Sequence, residues 1–318
     1  MKNDTEKKIM LDLNSKIYVA GHNGMVGSAI CRLLEKKGYT NLVLKSHSEL
    51  DLTKQDEVNN FFKSEKPDVV FLAAAKVGGI NANMNNHVGF LMENISIEYN
   101  VINAAFNNDV NDLMFLGSSC IYPRESKQPI KEDYLLTGPL EPTNEGYALA
   151  KIIGLKACQY YNEQYGTNYI GVMPTNLYGI NDNFDLESSH LVPAIIRKMH
   201  EAKINNDSQV EIWGTGKPYR ELLFVEDMAD ATLFAFENYK GKSFINVGTG
   251  EDLTIKQICE IIKKIVNYGG DLYFNHDKPD GMYRKLLDVK NLKDLGWKPK
   301  YSLEEGLKIT YDWYLKNK

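Results

Sequence analysis

Short apolar runs alternate with longer stretches of helical period through the first half of the chain. Lys16 to Ala20, Leu42 to Leu44, Val69 to Ala73 and Leu113 to Leu116 have strand length, and the apolar spacing between them predicts helices over Met25 to Lys37, Lys54 to Ser64 and Val88 to Asn107. Parallel strands need crossovers of this kind, so the rhythm predicts an α/β fold, a doubly wound parallel sheet of the Rossmann type. A helix carrying Tyr147 and running to about Tyr165, then a strand at Tyr169 to Met173, continue it. Beyond Asn176 the rhythm gives way to polar loops, a helix at about Ser188 to Ala202, and turn-rich pieces at Trp213 to Gly216 and Lys278 to Gly281. These predict a second, smaller α/β substrate-binding lobe. Leu222 to Glu237 and Phe244 to Val247 are apolar enough to return to the sheet, which gives an interleaved division. Residues 1–179 plus about 222–248 would form the dinucleotide-binding domain, and about 180–221 plus 249–318 the substrate lobe.

Composition narrows the function classes. The chain has 318 residues, 43% hydrophobic and 25% charged, enough for two packed lobes without disulfide or metal support. The net charge is −5 and the lysines and arginines are scattered, so no electrostatic footprint for nucleic acid or an anionic membrane is present. The stretch from Met1 to Lys16 has no apolar core of the signal-peptide kind, and the chain is expected to be cytoplasmic. Cys31, Cys120, Cys158 and Cys259 are far apart without C-x-x-C spacing, which argues against a disulfide framework or a zinc site. Three of them fall in helical patterns as core residues, and Cys120 is the exception.

Gly21-His22-Asn23-Gly24-Met25-Val26-Gly27 follows the first strand and opens a helix, the context in which glycines let a backbone approach a pyrophosphate. At the end of the second strand Lys45 stands where an acidic residue would bind the ribose of NAD, which favours NADP, while Glu49 keeps NAD open. Gly117-Ser118-Ser119-Cys120 follows the fourth strand, at the sheet edge where open α/β folds bind ligands. Tyr147 and Lys151 lie one helical turn apart, so an ammonium would sit beside a phenol and lower its pKa from about 10.

A glycine fingerprint, a serine after the fourth strand and Tyr-x-x-x-Lys together resemble the extended short-chain dehydrogenase/reductase superfamily. Gly21 to Ala29, Ala73 to Ile80, Gly117 to Pro123, Met173 to Gly179 and Lys278 to Gly281 resemble, more closely, its GDP-L-fucose synthase family, from about Lys16 to the C-terminus. The resemblance implies 3,5-epimerisation of GDP-4-keto-6-deoxy-D-mannose and NADPH-dependent reduction of its C4 ketone. It assigns Ser118, Tyr147 and Lys151 to the reductase triad and Cys120 and His190 to acid/base work in epimerisation. It also implies cofactor contacts at Gly21, Asn23, Gly24, Met25, Val26, Gly27, Lys45, His47, Asp51 and Leu52, and at Leu116, Gly117, Ser118, Ser119, Tyr147 and Lys151. Pro174, Thr175, Asn176, Leu177 and His190 complete that set.

Substrate contacts are implied at Lys198, Trp213, Arg220 and Asp280, where an Arg fork suits a diphosphate; Trp213-Gly214-Thr215-Gly216 also reads as a strand-ending turn with a buried indole. Asn23 and His47 stand where the family carries arginines for the 2′-phosphate, so Lys45 and a protonated His47 would substitute and NADP(H) would be preferred over NAD(H). A homodimer is implied, pairing the helices near Val88 to Asn107 and Tyr147 to Tyr165. The rivals are an NAD-dependent 4-epimerase, which needs no Cys or His at these places, and a 4,6-dehydratase, which needs an acidic pair where Cys120-Ile121 stands. A non-catalytic nucleotide-binding protein would lack Tyr147 or Lys151.

Overall fold

The computed structural model describes residues 11–241, 243–278 and 280–318; residues 1–10, which hold most of the Met1 to Lys16 stretch, and Pro279 of the Lys278 to Gly281 turn lie outside the described residues. In chain order the first half runs β1 (Ile17–Ala20), α1 (Met25–Lys36), β2 (Leu42–Val43), α2 (Gln55–Glu65) and β3 (Val69–Leu72). It continues with α3 (Ile80–Asn85), α4 (His87–Asn107), β4 (Asp112–Leu116), α5 (Glu145–Tyr165) and β5 (Asn168–Pro174). The second half adds β6 (Asn176–Tyr178), α6 (Leu191–Asn205), β7 (Gln209–Trp213), β8 (Tyr219–Arg220), β9 (Leu222–Phe224), α7 (Val225–Asn238) and β10 (Phe244–Val247). Then come β11 (Leu253–Thr254), α8 (Ile255–Val266), β12 (Asp271–Asn275), β13 (Arg284–Lys285), α9 (Lys290–Asp294) and α10 (Leu303–Asn317).

Six parallel strands form the central sheet in the order β10-β5-β4-β3-β1-β2. Alternating side chains feed two cores, as the two-residue period of a strand requires. Ile17 and Val19 point to the layer of α1 and α7, while Tyr18 and Ala20 point to the layer of α2, α4 and α5. Phe71 and Phe115 are wholly buried, one on each face, and truncating either to alanine would cost about 3–5 kcal/mol.

β10 takes the sheet edge beside β5, as expected for Phe244 to Val247. Leu222 to Glu237 behaves differently from the expectation. Its strand, β9, pairs with β6 in a separate two-stranded sheet, and only its helix, α7, packs onto the central sheet, against α1 and β5. The helix expected from Ser188 begins at Leu191. Before it, the Asp185 carboxylate collects the backbone N–H groups of Glu187 and Ser188 and the Ser188 hydroxyl, a local arrangement that competes with helix.

The remaining strands form small sheets: β7 beside β12, and β8 between β11 and β13. Helices α6, α8 and α10 pack together behind them. Cys31, Cys158 and Cys259 are buried on α1, α5 and α8, as core residues. Among the described residues no helix is long and apolar enough to cross a membrane.

Candidate active site

The chain turns from β1 into α1 through Gly21, whose φ of +83° is left-handed and whose Cβ, if it had one, would lie 2.7 Å from Ala74. A Cβ on Gly27 would overlap the Gly21 carbonyl oxygen. Gly24 caps α1 without a side-chain hydrogen bond, so the first-turn N–H groups and the positive end of the helix dipole are left for a ligand. Asn23 is exposed at the turn, Met25 and Val26 are half-buried, and the His22 Nδ1 is buried without a hydrogen-bond partner among the described residues. A cradle bare of side chains at a helix N-terminus fits the pyrophosphate of a dinucleotide.

Beyond β2, Glu49 folds back on Ser46, accepting its N–H at 2.8 Å and its hydroxyl at 2.6 Å; these bonds, with Lys45 and His22 nearby, hold its carboxyl below the usual range. Asp51 is held low in the same way by the Thr53 hydroxyl and N–H. His47 is exposed, 4.0 Å from the Asp51 carboxylate. The Leu52 carbonyl accepts from Asn100, a structural bond.

At the carboxyl end of β4, Ser118 begins a short 3-10 turn and accepts the Cys120 N–H at 3.3 Å. Its hydroxyl is also near enough to the Tyr147 phenol and the Cys120 thiol to favour the proton-free form of each, which brings the three groups to one point. Gly117 is tied to β5 through the Val172 carbonyl, and Ser119 is buried. Lys151 is 2% exposed; its Nζ donates to the Leu116 carbonyl at 3.0 Å and pairs with the Glu98 carboxylate at 3.2 Å. The expectation that Lys151 lowers the Tyr147 pKa is reversed. Burial raises the phenol well above 10, with Cys120 and Glu98 adding to it and the Ser118 hydroxyl opposing it. Tyr147 is a phenol, a hydrogen-bond donor, throughout the working range.

Burial likewise raises the Cys120 thiol, and the Lys285 ammonium is the largest opposing influence, ahead of Ser118 and Lys151. His190, the N-cap residue of α6, is exposed at its surface yet close enough to other protein atoms that desolvation lowers its imidazole pKa, with Lys285 lowering it further. Lys285 is therefore the common neighbour of the two groups, and sequence reasoning missed it. It lies on β13 in register with Arg220 of β8. The only trace in the sequence is an apolar pair, Leu286-Leu287, directly after it.

The Thr175 hydroxyl and Asn176 amide both donate to the Glu221 carbonyl, at 3.2 and 3.0 Å, so Pro174 to Leu177 present mainly backbone. The next loop carries Asp182, 8% exposed, where Asn181 reaches Ser28 of α1 at 3.2 Å. One carboxylate oxygen of Asp182 accepts the Asn183 N–H at 2.8 Å; the other has no hydrogen-bond partner among the described residues, and burial pushes the group up to about 7.

The four expected substrate residues come together. The Lys198 ammonium stands 5.7 Å from the Trp213 ring, and that of Lys278 stands 5.2 Å from it. Asp280 accepts the Thr215 N–H at 2.6 Å and its hydroxyl at 2.8 Å, closing the turn after Trp213, and its charge opposes the lowering of the Arg220 pKa by burial. Arg220 is held by the Tyr219 and Met282 carbonyls at 2.7 and 2.8 Å. The strand-ending turn is present, but the Trp213 indole is 57% exposed and open to a ligand.

Residues 17–248 match the model of the NAD dependent epimerase/dehydratase family. The chain is 54% identical to GDP-L-fucose synthase 1 of Arabidopsis thaliana, over 98% of this chain and 97% of that one. It is 52% identical to GDP-L-fucose synthase of Escherichia coli K12, over 95% and 97%. The solved structure of a GDP-L-fucose synthetase from Naegleria fowleri bound to NADP superposes with a TM-score of 0.91 at 28% identity, covering 98% of each chain.

Proposed function

The chain belongs to the GDP-L-fucose synthase family, and from that premise we propose that it makes GDP-L-fucose: 3,5-epimerisation of GDP-4-keto-6-deoxy-D-mannose, then NADPH-dependent reduction at C4. The observation that carries this reading is the meeting of Ser118, Cys120 and Tyr147 at the end of β4, with Lys285 beside both Cys120 and His190.

The C3 and C5 protons flank a ketone, so losing either one moves charge onto the C4 oxygen. Ser118 and Tyr147 donate hydrogen bonds to that oxygen as the charge develops. Cys120 and His190 are the two proton carriers: one takes a proton from one face of the carbon and the other returns one to the opposite face. Lys285 favours the proton-free form of each, which suits groups that must accept protons near neutral pH. When bound, NADPH supplies the hydride for C4. Tyr147 would then give its O–H proton to the same oxygen, and Lys151 would hold the nicotinamide ribose.

Gly21 to Gly27 would hold the pyrophosphate on the α1 N-terminus. Lys45 and His47 would receive the 2′-phosphate, since the Glu49 carboxylate is turned onto Ser46 instead of being free for ribose hydroxyls. Lys198, Arg220 and Trp213 would take the GDP moiety, with Asp280 setting the turn that carries Trp213. The two-lobe division at about residues 180–221 and 249–318 follows this split between cofactor and sugar nucleotide.

We also infer a cytoplasmic homodimer. Val88, Met92 and Tyr99 of α4 and Leu149, Ile153 and Tyr160 of α5 are exposed apolar side chains on adjacent helices, the face a second copy would cover. The deciding experiment is incubation with GDP-4-keto-6-deoxy-D-mannose and either NADPH or NADH, following absorbance and identifying the sugar by NMR. Absence of GDP-L-fucose, or equal kcat/KM for both cofactors, overturns the corresponding part.

A further inference from the structure

Glu98 is an uncommon residue to find where it is. It lies on α4 with 1% exposure, and its carboxylate is packed against the face of α5 that carries the reductase residues. The approach of the two helices is so close that a Cβ at position 154 would lie 2.5 Å from the Glu98 Oε2 and 2.7 Å from the Phe115 ring, and Gly154 is the residue there. The Lys151 Nζ sits 3.2 Å from this carboxylate, 3.0 Å from the Leu116 carbonyl and 4.8 Å from the centre of the Phe115 ring. A lone buried charge of either sign would be costly, so the two ions are mutually dependent. Neither the resemblance nor the sequence pattern singled out Glu98.

We propose that Glu98 is a positioning residue for Tyr147: a buried counter-ion that balances Lys151 and so keeps the phenolic proton in place through the enolate steps, until the reduction consumes it. This rests on reading Tyr147 as the donor to the C4 oxygen. An enzyme that only reduced would need that proton once. One that first stabilises enolates needs the same hydroxyl as a donor in each step, and an unbalanced ammonium beside it would draw the proton off. The ionisable groups around the pair are Tyr147, Lys151 and Cys158 on α5 and Cys120 on the turn after β4, with Lys285 beyond Cys120. Glu98 raises the proton affinity of both Tyr147 and Cys158.

The test is Glu98→Gln, which keeps the shape and removes the charge, assayed for C4 reduction and for deuterium wash-in at C3 and C5 from about pH 6 to 11. Removing a negative charge lowers the proton affinity of the coupled Tyr147/Lys151 pair whichever group gives up the proton, so the alkaline limb of both profiles moves to lower pH. The expected shift is about one pH unit or more, seen as roughly tenfold lower rates than the native protein on the fully developed alkaline limb, above about pH 10. Burial pushes the Glu98 carboxyl up to about 7, so near pH 6 the native protein also carries an uncharged side chain there and the two profiles converge. An unmoved or alkaline-shifted limb overturns the proposal. If Glu98→Gln does not fold, Glu98→Asp, with its charge drawn back from Lys151, must move the limb the same way by less; an unmoved limb there is equally fatal. Tyr147→Phe separates the two readings: if it reduces normally, the Tyr147 assignment itself is wrong, whereas lost reduction with an unchanged Glu98→Gln profile sinks only the counter-ion.

Discussion

Asp182→Asn should stabilise the protein at alkaline pH and not at acidic pH. The native carboxyl is 8% exposed, has one satisfied oxygen and one without a partner among the described residues, and is pushed up to about 7 from the ordinary 3.8. The unfolded chain therefore releases this proton near 3.8 and the folded chain only near 7. Between those values stability falls as pH rises, and above 7 the full cost is present. Roughly three pH units at about 1.4 kcal/mol each give about 4 kcal/mol. Asparagine keeps the oxygen that accepts from Asn183 but buries an amide N–H₂ in place of the second oxygen, which costs about 1–3 kcal/mol. The net expectation is a gain of about 1–3 kcal/mol at pH 8, turning into a loss of about 1–2 kcal/mol near pH 4. Urea denaturation midpoints of both proteins at the two pH values measure it. A pH-independent difference, or destabilisation at pH 8, refutes the reasoning.

Cys120→Ser should cut deuterium wash-in at C3 and C5 by about 10²–10⁴-fold while leaving NADPH binding unchanged; full wash-in would remove Cys120 from the proton transfers. Lys285→Met should slow that exchange and move its pH profile to the alkaline side, since the strongest influence lowering the Cys120 pKa is gone; an unmoved profile would show that the ammonium is not felt by the thiol. Ile153→Asp, on the exposed face of α5, should turn a dimer into a monomer by analytical ultracentrifugation with little change in fold. An unaltered sedimentation coefficient would place the interface elsewhere.

The sheet and its helices were legible because each strand of the first half is a short apolar run and each helix an amphipathic one, patterns that a buried parallel strand and a half-covered helix impose. The second half hid more. β8, β11 and β13 are two residues long, too short to have a period, and they are held by partners distant in the chain. Helices α8 and α10 were missed although both begin with a capping box, Thr254 with Gln257 and Ser302 with Glu305, which is a readable signal. In the site, residue types that do chemistry at fixed spacing, such as Tyr147 and Lys151, announced themselves. Lys285 and Glu98 did not, because an ion's influence depends on distance through space, and nothing local in sequence encodes which charge will face which. Burial depth is equally hidden from the local sequence, and it is what turned the Tyr147 pKa upward.

β13 is locked in place by segments from far earlier in the chain: the Leu286 N–H donates to Gln128, Leu287 bridges to Ile130, and the Leu287 N–H reaches the buried Glu221 carboxylate. A chain growing from its N-terminus has every strand of the six-stranded sheet once β10 has been made, yet Lys285 lies farther on, on β13. Until β13 has been made, Cys120 is without the cation that most opposes the effect of burial on its thiol. The order of residues thus joins the cation to the thiol only after the sheet that carries the thiol has all its strands.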